Sequence, residues 1–314
     1  MVKIWTMGEL LVEIMRTEVN CELYEPAGFR GPFPSGAPAI FIDAIARLGG
    51  KAGIIGAIGT DDFGKCLLDR LKQDQVDCSH IAIIEHGLTG VAFVMYRTKG
   101  DRKFIFHLEN SCAVEMKTPK DLPVSDLFHI MGCSLTINDA TYKEIIGTMD
   151  QFVKRGTKIS FDPNIRVELL KGRSMSSFIS KIMENCSFLL PGVDELLMIS
   201  EQETIESAVE TLFKNPVLEV IALKRGKHGC TIFTRDSRRS FGIYDIPPLD
   251  ATGAGDCFDG AFLYSYLSGK SLEECIKIAT AAASINTGAF GPMEGRISPQ
   301  KIETVIHTAP YLEL

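Results

Sequence analysis

Asp250-Ala251-Thr252-Gly253-Ala254-Gly255-Asp256 runs directly into Cys257-Phe258-Asp259-Gly260-Ala261-Phe262. Phe258, Phe262 and Tyr266 recur at i, i+4 and i+8, the spacing of one helical face, and Ser268-Gly269 supplies a stop. The stretch therefore reads as a loop, entered from a strand, that opens a helix with small residues at its mouth. The first N–H groups of a helix have no internal partner and carry the positive end of its dipole. With no side chain over them they can touch an anion directly, so Gly253, Ala254, Gly255 and Asp256 form a candidate anion hole. Asp256 then stands beside the anion, where a carboxylate can take the proton of a hydroxyl attacking phosphorus. A Gly-rich turn with an ordinary acidic first-turn residue shares part of this pattern, so the rest of the chain has to decide.

Outward from that stretch, strand-like and helix-like segments alternate. Strands are expected at Lys3–Met7, Lys51–Ile58, 127–133, 157–162, Phe188–Leu190 and Leu218–Leu223. Helices are expected at Ala37–Leu48, Asp62–Gln73, 139–155, near 174–184 and at 204–214. This alternation predicts an α/β fold: a mostly parallel, Rossmann-like sheet with helices on both faces. Gly90–Tyr96 and Lys103–His107, separated by Thr98-Lys99-Gly100-Asp101, predict a hairpin, and Thr231–Thr234 against Phe241–Tyr244 predicts a second. Residues 10–34 read as irregular, with strand character near their start. No linker or repeat interrupts residues 1–314, so one domain is expected.

The 314 residues are 45% hydrophobic and 23% charged, ordinary globular values that allow a substantial core. Thirty-three basic against 40 acidic residues give a net charge of −7, which offers no general field for nucleic acid or an anionic membrane. No 18-residue apolar run occurs, and Met1-Val2-Lys3-Ile4-Trp5 lacks a signal pattern. The nine cysteines are scattered without a C-x-x-C pair, and the six histidines form no ligand spacing. Reduced thiols, a cytoplasmic location and no structural zinc are expected.

The string D-x-T-G-A-G-D-x-F resembles the C-terminal signature of the ribokinase-like (PfkB) carbohydrate kinases. Four further segments resemble that family in order and spacing: Gly36-Ala37-Pro38-Ala39 with its helix, Gly56–Gly64, Phe161-Asp162-Pro163-Asn164-Ile165-Arg166, and Leu223–Gly229. The resemblance spans nearly the whole chain. It implies a kinase that uses ATP and Mg²⁺, with K⁺ as an optional further ion, and phosphorylates a small free sugar. It also implies a small β-sheet lid, made from segments about 10–34 and 86–110, and admits a homodimer through that lid. No Walker A string and no H-R-D or D-F-G string competes for the phosphate.

By the same resemblance, Asn164, Lys224, Gly226, Gly229 and Asn286 are expected on the ATP side. Glu9, Gly36, His107, Arg166 and Asp256 are expected on the sugar side. Glu195 matches an acid that holds Mg²⁺ through water, with Gly192 where the family has Asn; a carboxylate near phosphates suits magnesium. Asp250 and Thr252, with the loop Ala289–Gly295, resemble a monovalent-cation site. Two other departures bear on the sugar: Ile40 replaces a common Asn, and His107 falls where an Arg is common in the ketohexose and ketodeoxy-acid branches.

The expected acceptor is a ketohexose such as fructose or tagatose, with 2-keto-3-deoxygluconate as the alternative, because the cations assigned to the sugar side are few. A non-catalytic nucleotide- or sugar-binding regulatory protein on the same fold is the reading from a different class. It has no need of a base at Asp256. A dinucleotide oxidoreductase would need G-x-G-x-x-G after the first strand, and Gly8-Glu9-Leu10 is not that.

Overall fold

The computed structural model describes residues 2–98, 102–170, 172, 174 and 176–313. Its strands are β1 (Lys3–Met7), β2 (Leu11–Arg16), β3 (Phe29–Ser35), β4 (Lys51–Gly59), β5 (Asp77–Ile84), β6 (Gly90–Tyr96), β7 (Arg102–His107), β8 (Leu127–Met131), β9 (Lys158–Asp162), β10 (Cys186–Leu189), β11 (Val220–Lys224), β12 (Cys230–Phe233), β13 (Arg238–Phe241), β14 (Ile243–Tyr244) and β15 (Tyr311–Leu312). Its helices are α1 (Ala37–Arg47), α2 (Asp62–Gln73), α3 (Gly132–Leu135), α4 (Asp139–Lys154), α5 (Val167–Leu170), α6 (Ser176–Met183), α7 (Val193–Ser200), α8 (Ile205–Leu212), α9 (Ala254–Leu267), α10 (Leu272–Thr287) and α11 (Pro299–Thr308).

Nine strands form the main sheet in the order β13-β12-β11-β10-β9-β8-β1-β4-β5. The run from β11 to β5 is parallel, and β12 and β13 add antiparallel at one edge. β8 and β10 are buried along their whole length, which is why they read as unbroken apolar runs rather than alternating ones. One apolar cluster packs α1, α2, α9, α10 and α11 on one face of the sheet. A second packs α4, α6, α7 and α8 on the other. In such sheets ligands bind beyond the carboxyl ends of the strands. Glu9, Cys133, Asn164, Arg166 and Lys224 all fall there, at the ends of β1, β8, β9 and β11.

A separate four-stranded sheet, β3-β2-β6-β7, lies over those ends. β2 pairs parallel with β6, and β6 pairs antiparallel with β7 from Val91↔His107 to Tyr96↔Arg102. The expected turn residues Lys99-Gly100-Asp101 lie outside the described residues, as does Met175 near the start of the expected helix at 174–184.

Several boundaries differ from the sequence reading. Strand 127–133 stops at Met131, and Gly132 and Cys133 begin the short helix α3. The second hairpin is shorter than expected: Cys230–Phe233 pairs with Arg238–Phe241. Ile243 and Tyr244 pair instead with Leu312 and Tyr311. The segment 10–34 is more regular than expected, because Phe29–Ser35 forms β3. Its Pro32 and Pro34 hid it, yet β3 is an edge strand, where a missing N–H is tolerated.

Candidate active site

Helix α9 begins at Ala254 with Gly253 as its N-cap and no capping side chain. The chain reaches it from a loop rather than directly from a strand. Gly253 has φ +76°, and a Cβ there would stand 2.4 Å from the Pro292 carbonyl oxygen, so only glycine fits. The Ala254 N–H makes one long bond, 3.4 Å, to the Ala251 carbonyl. The N–H groups of Gly255 and Asp256 have no partner among the described residues. A Cβ on Gly255 would meet only Lys224, its Nζ at 3.7 Å, so the mouth of the helix is an open cradle for an anion.

Asp256 is the third residue of α9 and is 6% exposed. Its Oδ1 accepts a hydrogen bond from the Asn164 side-chain amide at 3.1 Å. Burial, aided by the nearby Asp162 carboxylate, pushes Asp256 up to about 7, against the pull of Arg166, Lys224 and Arg102. Asn164 itself sits at φ +37°, held by its N–H on Asp162 Oδ1. The expected nucleotide-side residue thus orients the Asp256 carboxylate.

Lys224, at the end of β11, donates to Asp162 Oδ2 at 2.7 Å and to Asp259 Oδ2 at 2.9 Å. Burial works against its charge, but the two carboxylates hold its pKa above the ordinary lysine value. Burial likewise opposes ionisation of Asp162, yet the ammonium keeps it below the usual carboxylate range. Burial raises Asp259 well above that range despite the same ammonium. Neither Asp162 nor Asp259 was singled out from sequence as Lys224's partner.

Two cavities meet at Asp256. One is lined by Glu9, Glu13, Gly36, Ile40, Phe104 and Phe106, among others. The other is lined by Asp162, Asn164, Gly192, Glu195, Lys224 and Gly255, among others. Gly253, Asp256, Arg102 and Arg166 border both. Gly36 caps α1 with φ +105°, and a Cβ there would lie 2.5 Å from the Glu9 carbonyl oxygen. The Glu9 carboxylate accepts from Ser134 and Cys133, and burial raises its pKa. Glu13 is 7% exposed and is pushed by burial to about 7. Ser35 donates to its Oε1 at 2.7 Å, while its Oε2 has no partner among the described residues.

His107 does not join this site. Along β7 the side chains alternate, with Arg102, Phe104 and Phe106 half-buried and Lys103, Ile105 and His107 exposed. His107 lines a different cleft with Phe93 and Glu109, on the far side of the sheet. Arg102 takes the inward place and donates from Nη1 to Thr252 Oγ1 at 3.0 Å. Glu13, Phe104 and Phe106 were missed from sequence, and Arg102 was legible only as a lid arginine of open direction. The period-two pattern could have found them: Glu9, Leu11 and Glu13 share one face, as do Arg102, Phe104 and Phe106.

Other expected residues fall further from the cleft. Gly226 is exposed, and Gly229 is buried beside the Phe241 carbonyl. Asn286 is buried and donates its amide hydrogens to the carbonyls of Thr252, at 2.9 Å, and Pro292, at 3.0 Å. It braces the turn before α9 from behind. Asp250 accepts from the Thr252 N–H and hydroxyl, the Tyr96 hydroxyl and the Gly291 N–H. Three of these bonds fall on Oδ1 and one on Oδ2, which keeps a lone pair.

Glu195 lies in the first turn of α7 and accepts from the N–H groups of Gly192, at 2.7 Å, and Ile165, at 2.8 Å. Burial and the Asp162 carboxylate raise its pKa. Each of its oxygens accepts one bond, and the residue lines the same cavity as Gly255. Among the described residues no cluster of three metal-binding side chains occurs. A single carboxylate there would suit a magnesium ion carried by phosphates and water, which Glu195 would hold through a water.

An open helix N-terminus facing a buried carboxylate, between two cavities at the ends of a parallel sheet, defines a group-transfer enzyme acting on an anionic donor. The sequence matches the pfkB family carbohydrate kinases over residues 8–299. Fructokinase-1 of Oryza sativa subsp. japonica is 31% identical over 299 residues, covering 91% of this chain and 92% of that protein. Fructokinase-1 of Zea mays is 28% identical, with 97% of each chain covered. Among solved structures, an E. coli protein provisionally described as ribokinase II superposes with a TM-score of 0.89 at 35% identity, over 98% of this chain and 99% of that one. Its complex with ATP and Mg²⁺ gives the same TM-score at 34% identity. The chain belongs to the pfkB family of carbohydrate kinases, phosphotransferases with an alcohol group as acceptor. No helix among the described residues is long and apolar enough to cross a membrane, and all nine cysteines are free.

Proposed function

We propose that this protein transfers the γ-phosphate of ATP to a primary hydroxyl of a small free sugar, with a ketohexose such as fructose or tagatose as the preferred acceptor. The observation that carries the reading is Asp256. It is a buried carboxylate tuned to about 7, at the border of an acceptor cavity and an anion cradle. ATP lies along the Lys224, Glu195 and Gly253–Asp256 side, and Mg²⁺ on its phosphates neutralises charge there. The sugar lies against Glu9, Glu13 and Gly36. Two carboxylates in that cavity suit hydroxyl donors, and Phe104 and Phe106 give the apolar face that a sugar ring packs on. The curated relatives named fructokinase support a ketohexose.

The four-stranded sheet is the lid of a single kinase domain, and Asp256 works only when the lid excludes water. Its outer face, with Phe29 and Ile105 exposed, suits a homodimer through the lid. A cytoplasmic location accords with the free cysteines. One observation favours a second acceptor, 2-keto-3-deoxygluconate: Arg102 points inward, adding to Arg166 a second cation that a carboxylate can use.

The test is specificity. kcat/KM for fructose, tagatose, 2-keto-3-deoxygluconate and fructose 6-phosphate with MgATP should rank the free ketohexoses first and the phosphosugar last. A tenfold lead for the keto-acid, about 1.4 kcal/mol of transition-state preference, selects the second reading.

A further inference from the structure

The helix mouth sits among carboxylates. Asp162, Asp259, Glu195 and Asp256 gather around it, and Lys224, the one ammonium there among the described residues, is held by two of them. A triphosphate cannot settle there on Lys224 alone. Arg102 and Arg166 are the basic side chains that border both cavities. Among the described residues neither guanidinium forms an ion pair: Arg102 bonds Thr252 Oγ1, and Arg166 bonds the Ile165 carbonyl at 3.3 Å. Both approach one ring, Phe104, at 5.7 and 5.9 Å from its centroid. Two partly buried guanidiniums with carboxylates nearby but no direct ion pair are costly unless an anion joins them.

We propose that Arg102 and Arg166 clamp the phosphoryl group in transit, so that closing the lid delivers one of the two charges. The step balances as follows. The acceptor oxygen forms a bond to γ-phosphorus, and the bond from γ-phosphorus to the β–γ bridging oxygen breaks. ADP leaves with that electron pair, and the hydroxyl proton passes to Asp256. Charge spread over the three equatorial oxygens meets two planar forks whose N–H groups match phosphate geometry. The position of the pair, at the junction beside Gly253 and Asp256, favours the phosphoryl group over an anionic group on the acceptor. Of the residues that line the acceptor cavity and not the other, Glu9, Leu11, Glu13 and Ile40 among them, none is cationic.

The inference rests on the kinase reading, and its test separates the two. Arg102→Gln, Arg166→Gln and Arg102→Lys are assayed with MgATP on fructose and on 2-keto-3-deoxygluconate. Binding of MgADP, alone and with fluoroaluminate as a phosphoryl mimic, is measured by calorimetry. Each Gln variant should lose about 10³-fold in kcat on both acceptors, as expected for a transition-state arginine. Its MgADP affinity should stay within about threefold while the fluoroaluminate complex weakens at least about 100-fold. Arg102→Lys keeps the charge without the fork and should lose about tenfold, which preserves the test if a Gln variant fails to fold. A rise confined to KM for the keto-acid, with kcat retained, would overturn the clamp and assign the arginines to the acceptor. An unchanged fluoroaluminate complex would also overturn it. If wild type phosphorylates neither sugar but its fluoroaluminate complex still depends on both arginines, the sugar assignment fails and the clamp stands.

Discussion

Helices α1, α7 and α9 begin at Gly36, Gly192 and Gly253, with no capping side chain, whereas α2, α4, α8, α10 and α11 begin at Asp61, Asn138, Thr204, Ser271 and Ser298, whose oxygens accept from their own first turns. All three glycines line the two cavities around Asp256. A side-chain cap satisfies a helix's orphan N–H groups from within, and a glycine leaves them for something else. The difference separates helix ends satisfied from within from helix ends left open at the two cavities. At α7 the Gly192 N–H is taken by Glu195, which fixes the carboxylate facing the cradle.

Breaking an open end should cost activity and leave stability alone. Gly255→Ala meets only the flexible end of Lys224, so the melting temperature should hold while the new methyl blocks the cradle. Turnover should fall about 10²-fold, the effect of losing one anion-hole donor. An unchanged kcat would mean the cradle is not used.

A pH profile sharpens the same contrast through Asp256. A base raised to about 7 works only when deprotonated, so kcat/KM should be level above that value. It should fall about tenfold per unit as pH drops below it. Burial pushes Glu13 to a similar value, so Glu13→Gln is the control. The acid limb should survive in that variant, and its disappearance would assign the limb to Glu13.

Removing a structural cap should do the reverse. Thr204 caps α8, on the face of the sheet away from α9, and accepts from the Ser207 N–H at 3.2 Å. Thr204→Ala should lower unfolding free energy by about 1 kcal/mol in a denaturant titration, with kcat and KM unchanged.

The sequence made the cradle legible because its chemistry depends on residue type at fixed spacing. Gly253 to Asp256, Asn164, Lys224 and Arg166 all stand at helix mouths or strand ends, where local spacing and position in the βα alternation coincide. The small sheet was legible as a hairpin but not in its facing. Whether His107 or Arg102 looks inward depends on the phase of β7 against the main sheet, and a shift of one residue exchanges the faces. β3 was hidden because Pro32 and Pro34 argue against a strand unless its edge position is known. Lys224's partners were hidden for a related reason. Asp162 and Asp259 lie 62 and 35 residues away along the chain, and only the packing of β9, β11 and α9 brings them together. Asn286, expected at the nucleotide, proved to brace the turn that carries Thr252.

Asp256 as the base of a sugar kinase is tested by setting wild type beside Asp256→Asn. Purified protein with MgATP and the ketohexose panel should release ADP and sugar phosphate in equal amounts. Asp256→Asn should still bind MgADP, keep its melting temperature and lose about 10²–10⁴-fold in turnover. A wild type that binds nucleotide and sugar without forming product, or an Asp256→Asn variant within about threefold of it, would contradict the account.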